Sequence, residues 1–445
     1  MSERNIKLSA SRQLQARAHQ IIPGGAHTYA KGDDQYPASA PPFIAHGEGC
    51  HVWDTDGNEF IEYGMGNRAV GLGHAYPAVI EAARRELTRG CNFTRPSPLE
   101  VACAEQFLSL VPTAEMVKFC KDGSDATSGA VRLARAYTGR DLVALCADHP
   151  FFSTDDWFVG TTAMNAGIPQ AIRELSVTFR YNDLQSVKDM FAANPGRIAC
   201  CIMEAARLDE PAPGFLEAMR DICHANGALF VLDEMITGFR WHRGGAQTSY
   251  GIKPDLSCFG KALANGFSVS ALAGAREFMR LGGLDHTDKP RVFLLSTTHG
   301  AETHALAAAI ATMRVYRSEP VIEHLIRQGE RLKALATMTI ARHGLQDYVQ
   351  IIGRPSCLLY TTRDTTGAAS QVMRTLLLQE TIRRGILMPS LVVSYTHTDT
   401  DIDKTIDALD GALGVYRKAL DGRPQDYLNG RPSEPVMRAF NTGSR

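Results

Sequence analysis

The sequence predicts an α/β protein: a large domain built on a parallel sheet buried on both faces, with a second, smaller α+β domain. Three observations predict it. The middle of the chain alternates short apolar runs with helical patterns, and short fully apolar runs are how buried parallel strands read. Beyond about residue 315 this alternation gives way to long helical patterns around one strand-like stretch. Near the N-terminus, a segment that alternates apolar and polar residues around Asp56-Gly57 signals an antiparallel hairpin, apart from the βα region.

Taken in order, Ser11 to Ile22 reads as a short helix stopped by Pro23-Gly24-Gly25. HVWDTDGNEFIEY (51–63) is the hairpin, with Gly57 supplying the positive φ of a tight turn. MVKFC (116–120), LVALC (142–146), IACCIM (198–203) and ALFVLD (228–233) are the candidate buried strands. SGAVRLARAYTGR (128–140) and GFLEAMRDICHANG (214–227) are helices between them, the βα rhythm of a parallel sheet. A long helix from Pro320 to His343 is followed by VQIIGRPSCLLYTT, a helix near 370–384 and a last helix from about Asp401. We therefore expect residues 1–60 to contribute to the small domain, 61–315 to form the large domain, and 316–445 to complete the small one.

Composition excludes several classes. The 445 residues carry a formal net charge of -1, with 44% hydrophobic and 21% charged side chains. That is an ordinary globular balance, with no reason to expect nucleic acid or an anionic membrane as partner. The basic pair Arg84-Arg85 sits beside Glu81 and Glu86 and reads as a solvated helix face. No stretch of about 18 apolar residues would span a membrane. The opening MSERNIKLSASRQLQARAHQ is polar and lacks a signal-peptide core, so a cytoplasmic location is expected. Ten cysteines show no CxxC and no Cys/His spacing for zinc, so reduced, mostly buried thiols and no metal are expected.

Ligands of an open parallel sheet sit outside the carboxyl ends of its strands, and three strand ends here carry suitable residues. In KFCKDGSDATSGAVRLARAYTGR (118–140), Gly123 allows a sharp turn and Ser124 opens a long amphipathic helix. A helix N-terminus with a hydroxyl is an anion site, although a plain turn and N-cap has the same look. In ALFVLDEMITGFR (228–240), Asp233 ends a nearly apolar strand, where an unpaired carboxylate is costly. A pyridinium N–H would suit it and would preserve the electron sink of pyridoxal phosphate (PLP) chemistry; capping the next helix or pairing with Arg240 would also serve. In KPDLSCFGKALANGFSVSALAG (253–274), Lys261 lies in apolar, Gly-rich surroundings, which lower an amine's pKa and leave room for a bulky ring. A phosphate turn, a strand-end Asp and then a Lys 28 residues later form a specific series.

With these residues in view, the chain resembles the class III aminotransferases, in the branch around glutamate-1-semialdehyde 2,1-aminomutase. The likeness runs through IPGG (22–25), GCHVWDTDGNEFIEY (49–63), GLGHAYPAV (71–79), GSDATSGAVRLARAYTGR (123–140), PGFLEAMRDIC (213–223), LDEMITGFR (232–240), KPDLSCFGKALANG (253–266) and STTHGAETHALAAA (296–309). The resemblance implies a PLP enzyme of fold-type I, whose large domain has a mixed, mostly parallel sheet flanked by helices. It also implies a homodimer with active sites at the subunit interface. On the matching positions, Lys261 is the Schiff-base lysine and proton shuttle, and Asp233 the partner of the pyridinium nitrogen. Gly123 and Ser124 hold the phosphate, which Thr298 reaches from the neighbouring subunit, with Thr297 a weaker candidate. Glu204 lies near the cofactor oxygen, and His149 belongs to an aromatic–His pair.

The departures lie on the substrate side. The aminomutase's Tyr-His-Gly is Asp148-His149-Pro150 here, which leaves ring stacking to His149, Phe151 or Phe152. Its carboxylate-binding arginine segment is Thr28-Tyr29-Ala30-Lys31, and a lysine does not reproduce a bidentate guanidinium. Its S-W-G-like stretch is Gly64-Met65-Gly66-Asn67-Arg68, and its E-P-V-A-G-N loop is a shorter ARLDEPAPG. HPFFSTDDWF (149–158) adds aromatic and acidic groups of the kind that meet hydroxyl-rich ligands. The expected function is transfer of an amino group from an amino-acid donor, with glutamate a candidate, to a carbonyl acceptor such as a sugar or sugar nucleotide. The alternative is an intramolecular aminomutase. A PLP-dependent racemase or decarboxylase would share the cofactor residues, and a non-catalytic scaffold would not be expected to keep Lys261 and Asp233.

Overall fold

The computed structural model describes Arg4 and residues 6–441. The chain separates into two compact units, Met1–Tyr76 with Glu323–Arg445, and Pro77–Ile322.

The first unit opens with a helix at Ser9–Ile21 that ends before Pro23-Gly24-Gly25. Strands β1 (Ile44–Glu48), β2 (His51–Asp54) and β3 (Glu59–Glu62) form an antiparallel run. The β2–β3 turn carries Gly57 at φ +84°, the conformation the Asp-Gly signal required.

The larger unit holds a seven-stranded sheet. Its strands are β4 (Met116–Cys120), β5 (Leu142–Cys146), β6 (Ser176–Phe179), β7 (Ile198–Glu204), β8 (Leu229–Asp233), β9 (Leu256–Phe259) and β10 (Ser270–Gly274), in the order β4-β10-β9-β8-β7-β5-β6. Neighbours from β9 through β6 run parallel, and β10 is antiparallel to both β9 and β4. Every residue of β5, β7, β8 and β9 is buried. Successive strand residues face opposite ways, so both faces of this region are covered. Each Val, Leu or Phe buried there contributes roughly 1.5–3 kcal/mol. β10 reverses for a local reason. Only ten residues separate β9 from β10, too few for a crossover helix, and Asn265 (φ +45°) and Gly266 (φ +95°) turn the chain back. The helix Gly123–Thr138 packs on this sheet, and Thr303–Ser318 packs on the helices Pro77–Leu87 and Pro98–Leu110.

The remaining chain completes the first unit. The helix Val321–Arg342 begins at the boundary; β11 (Val349–Ile352) and β12 (Leu359–Thr362) form a two-stranded antiparallel sheet. The helix Gln371–Ile382 leads to β13 (Ile386–Leu387), which pairs parallel with β3. The last long helix, Asp399–Asp421, starts with a capping box made by Thr398 and Asp401.

Candidate active site

Every residue singled out above for the cofactor lies in the larger unit, and several meet at the carboxyl ends of its parallel strands. After β4, the Asp122 carboxylate caps the helix Gly123–Thr138 by accepting the Asp125 N–H at 3.0 Å. The cap is therefore Asp122, and Gly123 and Ser124 form the first turn behind it. Ser124 Oγ accepts the Thr154 N–H at 3.0 Å. Three further bonds lay the aromatic segment on this helix. Thr127 Oγ1 donates to the Phe152 carbonyl at 2.8 Å, Ser128 and Ser153 hydroxyls meet at 3.1 Å, and Trp157 Nε1 donates to Ser128 Oγ at 2.8 Å. Phe152 is thereby buried, whereas Phe151 is 45% exposed and Thr154, Asp155 and Asp156 lie at the surface.

Asp233 closes β8 and is buried. One oxygen accepts the Met235 N–H at 2.8 Å. Burial pushes its carboxyl up to about 6, against the pull of the Lys261 charge and the Met235 N–H. Lys261 follows β9 and Gly260 and takes φ +48°, a left-handed conformation that costs a residue with a side chain on the order of 1 kcal/mol. Such strain at a residue with reactive chemistry is a common mark of a functional position. Gly260 has no room for a side chain: an added Cβ would lie 2.4 Å from Ser270 Oγ and 2.7 Å from Met235 Sδ. At Gly123 an added Cβ would also meet Met235 Sδ, at 2.9 Å. Met235 thus links the helix turn, the strand-end acid and the lysine turn.

Glu204 ends β7, beside Asp233 in the sheet register, and is buried. Its N–H donates to His149 Nδ1 at 3.1 Å. That bond makes Nδ1 an acceptor and leaves the ring proton on Nε2. Burial, with help from the Arg207 charge, pulls the His149 imidazole down to about 4, so it is neutral at pH 7. Its ring is tilted against Tyr181 at 5.1 Å and Phe152 at 6.2 Å. Asp148, where the relatives' stacking tyrosine was expected, is committed elsewhere: it accepts the Tyr181 N–H at 2.8 Å and pairs with Arg180 at 3.1 Å. Thr297 and Thr298 lie on an exposed irregular stretch, and the Thr298 carbonyl accepts Asn92 Nδ2 at 2.9 Å. Lys31 and Asn67 belong to the other unit.

Sequence reasoning passed over Glu234. Its fully buried carboxylate accepts the Ala246 and Gln247 N–H groups, each at 2.8 Å, and a bond from the Thr237 hydroxyl. Burial pushes it up to about 7. Glu234 ties the turn after β8 to the short helix Ala246–Ser249, which fixes the backbone that carries Asp233. The signal was present: an acid beside Asp233 with a threonine three residues on is a ready local hydrogen-bond pair. Lys121, just before the phosphate-type turn, pairs with Glu302.

This arrangement offers backbone N–H groups at a helix N-terminus, a buried carboxylate and an amine whose charge acts on it. Such a set suits a flat ligand with a phosphate at one end and a protonated ring nitrogen at the other. Among the described residues no helix is long and apolar enough to cross a membrane, and all ten cysteines are free, all buried except the half-buried Cys91.

The chain is similar to known proteins along most of its length. The model of the family "Aminotransferase class-III" matches residues 35–410. The chain is 34% identical over 426 residues to a glutamate-1-semialdehyde 2,1-aminomutase from Acetivibrio thermocellus, covering 90% of this chain and 97% of that one. It is 31% identical over 425 residues to a 3-aminobutyryl-CoA aminotransferase from Cloacimonas acidaminovorans, covering 93% and 99%. Among solved structures, the Sphingopyxis sp. MTA144 FumI protein in its PLP internal aldimine form superposes with a TM-score of 0.85 at 29% identity, covering 96% of this chain and 99% of that one. An omega-transaminase from Sphaerobacter thermophilus gives 0.82 at 26% identity, covering 92% and 98%. The shared architecture is the fold-type I arrangement expected above. With a family match over most of its length and relatives above 30% identity across nine-tenths of it, the chain belongs to the class III aminotransferases.

Proposed function

We propose that this chain is a PLP-dependent aminotransferase that takes an amino group from an amino-acid donor, glutamate being the first candidate, and delivers it to a carbonyl on a sugar, sugar nucleotide or related polyol. The observation that carries the reading is Asp233, a buried strand-end carboxylate pushed up to about 6 whose opposing charge is Lys261. A buried acid in that state gains most from a cationic N–H partner, and a protonated pyridine ring is one. A solved relative in its PLP internal aldimine form supports the cofactor.

PLP, when bound, supplies an electron sink for the pair left on a substrate carbon as its proton departs. The chain's residues do the rest. The first turn of the helix Gly123–Thr138, with Ser124 Oγ, would hold the phosphate through backbone N–H groups and the helix dipole. The partner subunit of a homodimer would add the Thr298 hydroxyl. Asp233 keeps the proton on the ring nitrogen, and Glu234 holds the turn that aims it. Lys261 Nζ anchors the cofactor, then takes the α-proton of the donor and hands it on as a general base and acid. His149, neutral and oriented by the Glu204 N–H, would cover the ring without adding a charge. Glu204 would lie beside the cofactor oxygen.

The acceptor class rests on the segment 149–158. Its exposed Phe151, Thr154, Asp155 and Asp156 offer an apolar ring surface and hydroxyl-binding carboxylates beside Ser124. The missing mutase arginine and the different 64–68 stretch also argue against glutamate 1-semialdehyde. The aminomutase relatives nevertheless make an intramolecular transfer the second reading. Donor alone separates the two. An aminotransferase should release one keto acid per site and retain the amino group on the cofactor, and keto-sugars should then restore the original spectrum. A mutase would isomerise its substrate and release no keto acid.

A further inference from the structure

In the smaller unit, three potential metal ligands from distant parts of the chain converge. Cys50 and His51 are adjacent, and Asp401 lies 350 residues beyond His51. Neighbours on a regular strand would point to opposite faces. Here Cys50 lies in the β1–β2 turn, after Gly49 at φ +58°, and only His51 is in the strand, so both side chains can reach one point. Ligand atoms of the three residues lie within 4.8 Å of one another. His51 Nε2 is 3.1 Å from Asp401 Oδ1, and Cys50 Sγ is 3.5 Å from Asp401 Oδ2. Ligands of a tetrahedral zinc ion stand about 3.3–3.6 Å apart, given Zn–S near 2.3 Å and Zn–N or Zn–O near 2.1 Å.

The surroundings are those that orient ligands. His51 Nδ1 is bonded to Glu59 Oε1 at 2.7 Å, which leaves Nε2 as the ring's ligating nitrogen, the carboxylate–histidine pairing common behind metal ligands. Asp401 Oδ2 is held by the Thr398 hydroxyl at 2.7 Å and the Thr398 N–H at 3.0 Å, while Oδ1 is bonded to His51. Cys50 and Asp401 are buried, and His51 is one-quarter exposed, which provides an entry path.

We propose that Cys50 Sγ, His51 Nε2 and Asp401 Oδ1 form a binding site for zinc or a similar borderline-soft divalent cation, with water as fourth ligand. Binding expels the thiol proton of Cys50 and the Nε2 proton of His51, the two protons that join these groups to Asp401. A thiolate, a carboxylate and a neutral imidazole then neutralise the cation, and Oδ2 keeps its bonds from Thr398. The ion ties the β1–β2 turn to the start of the helix Asp399–Asp421. Spacing rules for zinc miss the site because its ligands are not clustered in sequence.

The test uses the intact protein, stripped with chelator, given zinc, desalted and assayed for metal. The wild type and Cys91→Ser should retain a single equivalent per chain, and Cys50→Ser and His51→Gln should lose it. Glu59→Gln should weaken affinity about 10- to 100-fold. Zinc X-ray absorption on the wild type guards against variants that fail to fold, and should show one sulfur neighbour near 2.3 Å. Failure of the wild type to retain zinc, equal retention by Cys50→Ser and His51→Gln, or a shell of nitrogen and oxygen alone would overturn the proposal.

Discussion

At Asp233 and its neighbours, burial and charge oppose each other, and the balance sets what can be measured. Asp233 is pushed up to about 6 from 3.8, and Glu234 to about 7 from 4.5, both chiefly by burial. A carboxyl raised on folding keeps its proton in the fold while the unfolded chain has lost it. Its contribution to stability is present below pH 4 and is lost as pH rises through 6 to 7. The PLP-free protein should therefore lose stability between about pH 4 and 7, with Asp233 accounting for on the order of 3 kcal/mol of the loss between pH 4 and 6. Thermal melts of the PLP-free wild type and Asp233→Asn should show a smaller loss in the variant; equal losses would deny the raised pKa. In the loaded enzyme Asp233→Asn should lower kcat about 100-fold or more, since a neutral amide no longer favours a protonated ring nitrogen. Lys261→Ala should fold, as judged by circular dichroism, but lack the visible absorption of lysine-bound PLP.

The elements show how far such residues could be read in advance. LVALC, IACCIM and ALFVLD became strands almost residue for residue, because such apolar runs fit a sheet covered on both faces, while MVKFC became the half-buried edge strand β4. β10 was not legible: SALAG is too small and short to announce a strand, and its place between β4 and β9 depends on the reversal at Asn265-Gly266. Glu234 was overlooked because its donors at Ala246 and Gln247 come from a turn twelve residues downstream. The same elements make a prediction at Gly260. Alanine there would collide with Ser270 Oγ and Met235 Sδ, so Gly260→Ala should cost about 1–3 kcal/mol. It should also weaken PLP binding, which a melt and a PLP titration would register together. His149→Ala should weaken cofactor binding by roughly the 1 kcal/mol of an aromatic contact, read from the same titration, and also cost about 1–3 kcal/mol in the melt, because the buried Glu204 N–H at the end of β7 loses its acceptor.

For the whole molecule, the chain divides into its two units at Tyr76/Pro77 and Ile322/Glu323. The residues proposed for the cofactor lie in the larger unit, and the family motifs were what suggested them. The segments Thr28–Lys31 and Gly64–Arg68 depart in sequence from the aminomutase pattern, so the acceptor was less legible than the cofactor. We propose that Lys261 and Asp233 run a half-reaction in which an amino group stays with the protein and a keto acid leaves. The most direct measurement supplies the PLP-loaded protein with glutamate, alanine or aspartate alone. At least one donor should abolish the lysine-bound absorption and release one equivalent of keto acid. Persistent absorption, with no keto acid from any of them, would contradict it.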